Sequence, residues 1–291
     1  MHLVIGTGKV GRPLSELFNE LNVPALSTTR SGKVPTPLTG VAFDWNDPST
    51  FQNPFTYAEA KSNVIQSIFM TPPPAYDMLS AMKPFIDIAV EKGVKRFVLL
   101  SSTLVPPGPV GHGTVHRYLA GLGVEYVSIR PSWFFANFIP SNGRVDLASR
   151  TVTSATGSSK TGFVDPRDIA DCAYHAMTDK VPLNGSYYVF GPELLSYREV
   201  ATSLSSVAGK TFTHRDLSTS EFRQMVEEVM KLPTVYAEML ARFEDALKSG
   251  AEEKLFRKEF EVEEIQEKRE IWFGKRRLHD YFEENKDIFT N

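Results

Sequence analysis

His2-Leu-Val-Ile-Gly-Thr-Gly-Lys-Val-Gly-Arg-Pro13 is the stretch whose reading decides the fold of this chain. The apolar run from His2 to Ile5 reads as a buried strand, and Gly6, Gly8 and Gly11 follow it as G-x-G-x-x-G. Pro13 opens a helix in which Leu14, Leu17, Phe18 and Leu21 recur at helical spacing and make one apolar face. Glycines set between a strand and a helix form the dinucleotide-binding fingerprint. In that reading Gly6 makes the tight turn, Gly8 lets backbone N–H groups approach a pyrophosphate, and Gly11 lets helix and strand pack closely. Thr7 and Val10 complete the loop, and the helix N-terminus faces the phosphates.

Outward from this stretch, strand and helix patterns alternate. Ala25–Thr29, Val41–Trp45, Val64–Met70, Arg96–Ser101 and Glu125–Arg130 read as strands, and Asp77–Lys92 as an amphipathic helix ended by Gly93. A shorter helix is expected near Thr114–Leu122. Such alternation implies βαβ units: an α/β chain with an extended Rossmann, doubly wound parallel sheet that binds ligands at the strands' carboxyl ends. The dinucleotide-binding domain is expected over residues 1–155, with a later strand near 186–191 returning to it. Residues 156–291 are expected to form a smaller, mainly helical substrate-binding region. Within it, the mixed-sign run from Glu252 to Glu270 reads as a solvated helix face laced with i,i+4 pairs.

A hydrophobic content of 42 % and a charged content of 23 % are ordinary for a soluble globular chain. A net charge of -3 leaves no electrostatic footprint for nucleic acid or an anionic membrane. One cysteine, Cys172, excludes an internal disulfide framework. No apolar run is long enough to span a bilayer, and the chain enters a strand at once, without a signal peptide pattern. A cytoplasmic enzyme, monomer or homodimer, acting on a small molecule is the expectation.

The end of the second strand indicates which dinucleotide. An acidic residue there would accept the ribose 2′-hydroxyl of NAD. The sequence instead reads Ser27-Thr-Thr-Arg-Ser31, with no carboxylate. A guanidinium suits a 2′-phosphate, and Thr28, Thr29 and Ser31 offer further donors, so Arg30 points to NADPH. The alternative for Arg30 is a solvent-facing loop residue.

The order G-T-G-K-V-G, S-T-T-R-S, F-D-W, M-T-P-P-P-A-Y-D, K-R-F-V-L-L-S-S and R-P-S-W-F-F-A-N-F resembles the NmrA-like atypical short-chain dehydrogenase/reductases. Within them it is most similar to the fungal festuclavine/agroclavine dehydrogenases of ergot alkaloid biosynthesis, a likeness that covers the chain to about Leu255. That family usually carries G-x-x-G-x-x-G, whose first glycine falls at Ile5 here. The resemblance implies an extended Rossmann fold that uses NADPH to reduce an iminium. It places Asp44 and Trp45 near the adenine, Thr71 and Pro72 along the cofactor's middle, and Ser101 at the end of the fifth strand. It places Pro131, Trp133 and Phe134 by the nicotinamide.

The chemistry turns on an absence. Short-chain reductases protonate the forming alkoxide with a Tyr-x-x-x-Lys pair. The only such spacing here, Tyr57 to Lys61, precedes the fourth strand and reads as chance. The helix after the fifth strand offers His112 and His116 instead, and these, with Tyr76, are the weak catalytic candidates. Two histidines at i,i+4 could share a metal, but no third ligand is near in sequence, so no metal is expected. An iminium is already cationic and becomes a neutral amine on taking up hydride alone, so it needs cofactor, orientation and a tolerant pocket. Tyr76, Trp133, Phe134 and Asn137 are the substrate-pocket candidates; for the aromatic ones, plain core packing is the alternative. Asp168 reads as a helix-start carboxylate and Asp165 as an N-cap. Two other readings remain open: an NmrA-like redox sensor that binds the dinucleotide without turnover, and a non-redox cyclase or isomerase.

Overall fold

A computed structural model of the chain describes every residue except Tyr76, Val262, Glu264 and Asn291. The chain forms two compact units. Met1–Pro131, Ile169–Tyr188 and Val262–Trp272 make the first, and Ser132–Asp168, Val189–Glu261 and Phe273–Asn291 the second.

The elements up to Pro131 alternate as βα repeats require: β1 (His2–Ile5), α1 (Gly11–Glu20), β2 (Ala25–Thr29), β3 (Gly40–Ala42), α2 (Asn53–Ala60), β4 (Ser67–Met70), α3 (Met78–Glu91), β5 (Arg96–Leu100), α4 (His112–Gly121) and β6 (Glu125–Pro131). After them come β7 (Val145–Asp146), β8 (Thr151–Ser154), α5 (Pro166–Thr178), β9 (Gly185–Phe190), α6 (Tyr197–Ala208) and β10 (Thr213–Asp216). The chain closes with α7 (Thr219–Glu228), α8 (Thr234–Lys248), α9 (Ala251–Phe256), β11 (Lys268–Phe273), α10 (Leu278–Glu284) and α11 (Lys286–Thr290).

Eight strands join in the order β11-β9-β6-β5-β4-β1-β2-β3, and the pairings from β6 across to β3 are parallel. Parallel strands covered on both faces need continuous apolar runs. Leu3 to Ile5, Ile68 to Met70 and Phe97 to Leu99 are such runs and are buried. The first unit's core is built on them, with Phe43, Phe51, Phe55 and Phe85 among the side chains packed against them. On α1 the buried face is Leu14, Ser15 and Phe18. Leu21, expected on that face, lies past the helix end and is exposed. Phe18 packs between His2 and Tyr174, with ring centroids 5.0 Å from each.

The second unit holds a three-stranded sheet in the order β10-β8-β7. One core gathers Phe135, Phe138, Phe163, Tyr197 and Leu204 with Phe282 and Phe289 of the C-terminal helices, and a smaller one lies between α7 and α8. Two sequence expectations differ from this arrangement. The boundary expected at residue 155 falls inside the second unit, because β8 pairs with β7 and β10 rather than with the large sheet. Residues 156–291 are not simply a helical region: β9 is the later strand expected near 186–191, and β11, which was not expected, extends the large sheet beyond it. No helix among the described residues is long and apolar enough to cross a membrane.

Candidate active site

The glycine loop leaves β1 at its carboxyl end, next to the place where strand order reverses between β1 and β4. Open α/β sheets bind ligands at that crevice. The three glycines answer different constraints. Gly6 has φ +91°, and a β-carbon there would lie 3.0 Å from the Thr71 Cβ. A β-carbon on Gly11 would lie 1.7 Å from the Gly6 carbonyl oxygen. One on Gly8 would meet nothing within 4 Å. Packing inside the protein therefore accounts for Gly6 and Gly11, while the space beside Gly8 is open. The Gly6 N–H donates to Thr28 Oγ1 at 3.2 Å and the Thr7 hydroxyl to the Thr28 carbonyl at 3.4 Å, which ties the loop to β2. Val10, at the N-cap of α1, is buried and has no polar side chain with which to cap it.

Around the loop, Thr71 bonds through its N–H to the Ile5 carbonyl at 3.1 Å. Its carbonyl accepts the Trp45 indole N–H at 3.0 Å, so Thr71 and Trp45 are brought together. Trp45 packs edge-on against Phe43 and Phe85, as part of the aromatic core. Pro72 follows, half-buried. The Asp44 carboxylate accepts the Asn46 N–H at 2.9 Å and so works as a turn acceptor. The Thr29 hydroxyl donates to the Lys33 carbonyl at 3.1 Å. Arg30 is exposed and pairs with no carboxylate among the described residues.

At the ends of β5 and β6, Ser101 N–H bonds to the Ile129 carbonyl at 2.7 Å, and Pro131 accepts the Thr103 N–H at 3.1 Å. The Ser101 hydroxyl is buried without a partner among the described residues. On α4, His116 is fully buried and its Nε2 lies 2.8 Å from Glu267 Oε2. The same oxygen accepts the Tyr126 hydroxyl at 2.9 Å, and Glu267 Oε1 accepts Ser186 Oγ at 2.5 Å. Burial pushes the Glu267 carboxyl up, but the bonds from His116, Ser186 and Tyr126 hold it below the ordinary glutamate range. His112 has no such partner among the described residues, and burial lowers its pKa to about 4. The histidines thus diverge, and no group of three His, Cys, Asp or Glu among the described residues could hold a metal. Tyr118, the tyrosine of α4, donates to Asp87 of α3.

The second unit holds the aromatic segment. Trp133 and Phe134 are half-buried, fixed by backbone bonds with Val164 on either side, and the Asn137 N–H bonds to the Phe134 carbonyl at 2.9 Å. Arg144 lies 5.1 Å from the Trp133 ring centre, and the Tyr197 and Phe222 rings also contact it. This buried cation is paired with Glu244 at 2.7 Å, so Trp133 already faces a protein cation. Asp165 caps α5 as expected, accepting the Arg167 N–H at 2.7 Å. Asp168 is buried against Arg276. Tyr76, a candidate for both catalysis and substrate contact, lies outside the described residues.

No protein-family model matches the chain. Festuclavine synthase I of Penicillium roqueforti is 36 % identical over 255 residues, 86 % of this chain and 88 % of that protein. Agroclavine dehydrogenase of Claviceps purpurea is 34 % identical over 86 % of this chain and 87 % of its own length. The chain belongs to the festuclavine and agroclavine dehydrogenase family, a family of oxidoreductases. The NADPH-dependent quinone oxidoreductase QOR2 of Escherichia coli, at 19 % identity, superimposes with a TM-score of 0.69 over 89 % of this chain and 94 % of that one. At that identity the likeness concerns the fold.

Sequence reasoning missed the acidic residues of the C-terminal third. The run from Glu252 is helical only to Phe256, and although many of its charges are exposed, several of its carboxylates turn inward. Glu252 is fully buried and accepts the Ser132 hydroxyl at 2.6 Å. Glu263 accepts both Arg130 Nη1, at 2.9 Å, and the Tyr188 hydroxyl, at 3.0 Å. Burial of a carboxylate is costly unless it is compensated: Glu263 meets a guanidinium, and Glu252 accepts bonds from the Ser132 hydroxyl and the Gly162 N–H. The available signal was weak: the apolar and aromatic residues that follow the charges in E-I-W-F suit a partly buried strand, β11, better than a solvated helix.

Proposed function

We propose that this member of the family is an NADPH-dependent reductase that delivers hydride to the C=N bond of an iminium in a small, alkaloid-type secondary metabolite. The compounds for which its relatives are named, festuclavine and agroclavine, support that class of metabolite. Two features fit a dinucleotide: the open space beside Gly8, and the Ser101 hydroxyl after β5, buried and without a partner among the described residues. In this reading Gly6, Thr7, Gly8, Val10 and Gly11 hold the pyrophosphate, and Thr29 and Arg30 the 2′-phosphate. Asp44 and Trp45 lie toward the adenine, Thr71 and Pro72 along the middle, and Ser101 and Pro131 toward the nicotinamide. NADPH, when bound, supplies the hydride.

The observation that carries the C=N assignment is the side-chain content of α4. A ketone takes up a proton as well as a hydride, and α4 holds no Tyr-x-x-x-Lys pair to give one. His116 is committed to Glu267. His112, its pKa lowered to about 4 by burial, is held neutral at neutral pH. An iminium carbon needs none of this, since hydride alone leaves a neutral amine. What the chain then supplies is orientation and exclusion of water, with Trp133, Phe134 and Asn137 as the acceptor's wall.

The test is loss of NADPH absorbance against a panel of cyclic iminium, enal and ketone compounds. Turnover confined to iminium compounds is expected. Preferential reduction of a ketone overturns the C=N assignment, and tight NADPH binding with no turnover of any compound favours the sensor reading.

A further inference from the structure

Arg130 closes β6 almost wholly buried, and its donors are spent in two directions. Toward the loop after β5, Nε donates to the Ser102 carbonyl at 3.3 Å and Nη2 to the Thr103 carbonyl at 3.2 Å. Toward the C-terminal segment, Nη1 meets both Glu263 oxygens, at 2.9 and 3.1 Å. The Tyr188 ring lies 4.3 Å from the guanidinium, and its hydroxyl bonds the same carboxylate. The backbone of β6 holds the other side of the loop through Ile129 and Pro131. Residues 101–103 are thus gripped by β6 twice, once by its backbone and once by its arginine. In that stretch sits the Ser101 hydroxyl, buried and without a partner among the described residues.

We propose that Glu263 and Arg130 are a positioning pair for the reaction: the carboxylate orients the guanidinium, the guanidinium sets the Ser102 and Thr103 peptide planes, and these aim the Ser101 hydroxyl. The link to turnover rests on the reading above, in which Ser101 lies toward the nicotinamide. A planar guanidinium fork fixes direction in a way an ammonium cannot. A buried ion pair is itself weak evidence for stability, since packed apolar residues of the same volume often do as well. What apolar residues could not do is bond two successive carbonyls. Glu263 acts through Arg130 and touches no reacting atom, so its contribution is to orientation.

Hydrogen exchange on the unliganded full-length protein reads the positioning directly. In Glu263→Ala the peptide covering residues 101–105 should exchange about tenfold faster than in wild type, while residues 127–129 of β6 exchange unchanged. NADPH affinity should stay within about twofold, and kcat with saturating NADPH and a cyclic iminium should fall about tenfold. Glu263→Gln, which keeps an acceptor for Arg130, should recover most of both effects. If the alanine variant does not fold, Tyr188→Phe, which removes one donor to the same carboxylate, is read in the same way with a smaller change. Unchanged exchange at 101–105 overturns the proposal whatever the activity, and so does faster exchange with an undiminished kcat. Equal losses in NADPH affinity and kcat, with faster exchange throughout the sheet, reduce the pair to a structural one and also overturn it. Should the wild type reduce no iminium, the substrate reading fails by itself. The fluorescence of bound NADPH then replaces kcat, with an altered nicotinamide emission in Glu263→Ala expected and an unaltered one overturning the proposal.

Discussion

Two parts of the first unit, residues 6–11 and the pair Glu263 and Glu267, do their work in opposite ways. In the glycine loop the content is what is missing: no side chain at Gly8, and no room for one at Gly11. In the C-terminal segment the content is all side chain, Glu263 toward Arg130 and Glu267 toward His116, across 133 and 151 residues of sequence. A backbone constraint is local, so a single sequence displays it. A buried carboxylate looks like any surface carboxylate until its partner is known, and nothing in the spacing names a partner so far away.

The largest effects separate these two kinds of encoding. Gly8→Val adds a branched side chain where the protein has open space, so the melting temperature should stay within about 2 °C while NADPH affinity drops by about a hundredfold or more. Gly11→Ala, in contrast, drives a β-carbon into the Gly6 carbonyl and should destabilise the fold by about 3 kcal/mol. Similar melting temperatures for the two variants, or retained NADPH binding in Gly8→Val, would erase the distinction within the loop. For the acidic segment, Glu267→Ala breaks a buried pair and should cost about 3–5 kcal/mol in urea unfolding at neutral pH. Because the folded Glu267 carboxyl lies below its unfolded value, its contribution is present above about pH 4.3 and is lost as pH falls through the folded value. Glu267→Gln should therefore unfold with less acid dependence in that window. An unaltered acid limb would show that His116, Tyr126 and Ser186 do not stabilise the charged form.

The parts of the molecule legible in the sequence were those in which chemistry and pattern coincide. The apolar runs of β1, β4 and β5 marked a parallel sheet, and G-x-G-x-x-G after β1 marked its switch point. Asp165 before Pro166 marked a helix start. β11 was missed because its exposed and half-buried residues alternate charges with Ile271 and Trp272, a pattern that a mixed-sign helix also shows. Trp45, which the resemblance places near the adenine, also donates its indole N–H to Thr71 and packs edge-on against Phe43, neighbours that its residue type does not name. Trp133 was expected to offer an aromatic face, and one of its neighbours proves to be Arg144. In each case residue type was informative about chemistry and silent about which neighbour would claim it.

A smaller effect tests whether a charged side chain near the loop can also be read locally. Arg30 is exposed at the end of β2, with no carboxylate partner among the described residues to hold it. A charge-assisted bond to a 2′-phosphate is worth about 1.5–3 kcal/mol, so Arg30→Ala should weaken NADPH by roughly 10- to 150-fold and leave NADH nearly unchanged. Titration of both reduced cofactors into wild type and variant gives the answer. Equal affinities in the wild type would return Arg30 to the solvent and sharpen the lesson that only backbone features read locally.

The smallest expected effect concerns His112, which stands between the two kinds of segment. Its position at the start of α4 suggested a general acid, while its burial without a charged partner holds the imidazole neutral, near a pKa of 4. The unfolded imidazole titrates near 6.5, so between about pH 6.5 and 4 the unfolded chain binds a proton that the folded one refuses, and stability falls as pH falls through that window. His2, depressed to about 4 chiefly by burial, adds to the same slope. His112→Asn should flatten part of this pH dependence in denaturant unfolding. Its kcat at neutral pH, with NADPH and a cyclic iminium, should change by less than about tenfold, because no proton is donated in that step; loss of a true general acid costs about 10²–10⁴-fold. A collapse of kcat with NADPH binding intact would mean that the acceptor takes a proton from α4. The substrate would then be a carbonyl or an enal, and α4 would carry chemistry that its burial pattern argues against.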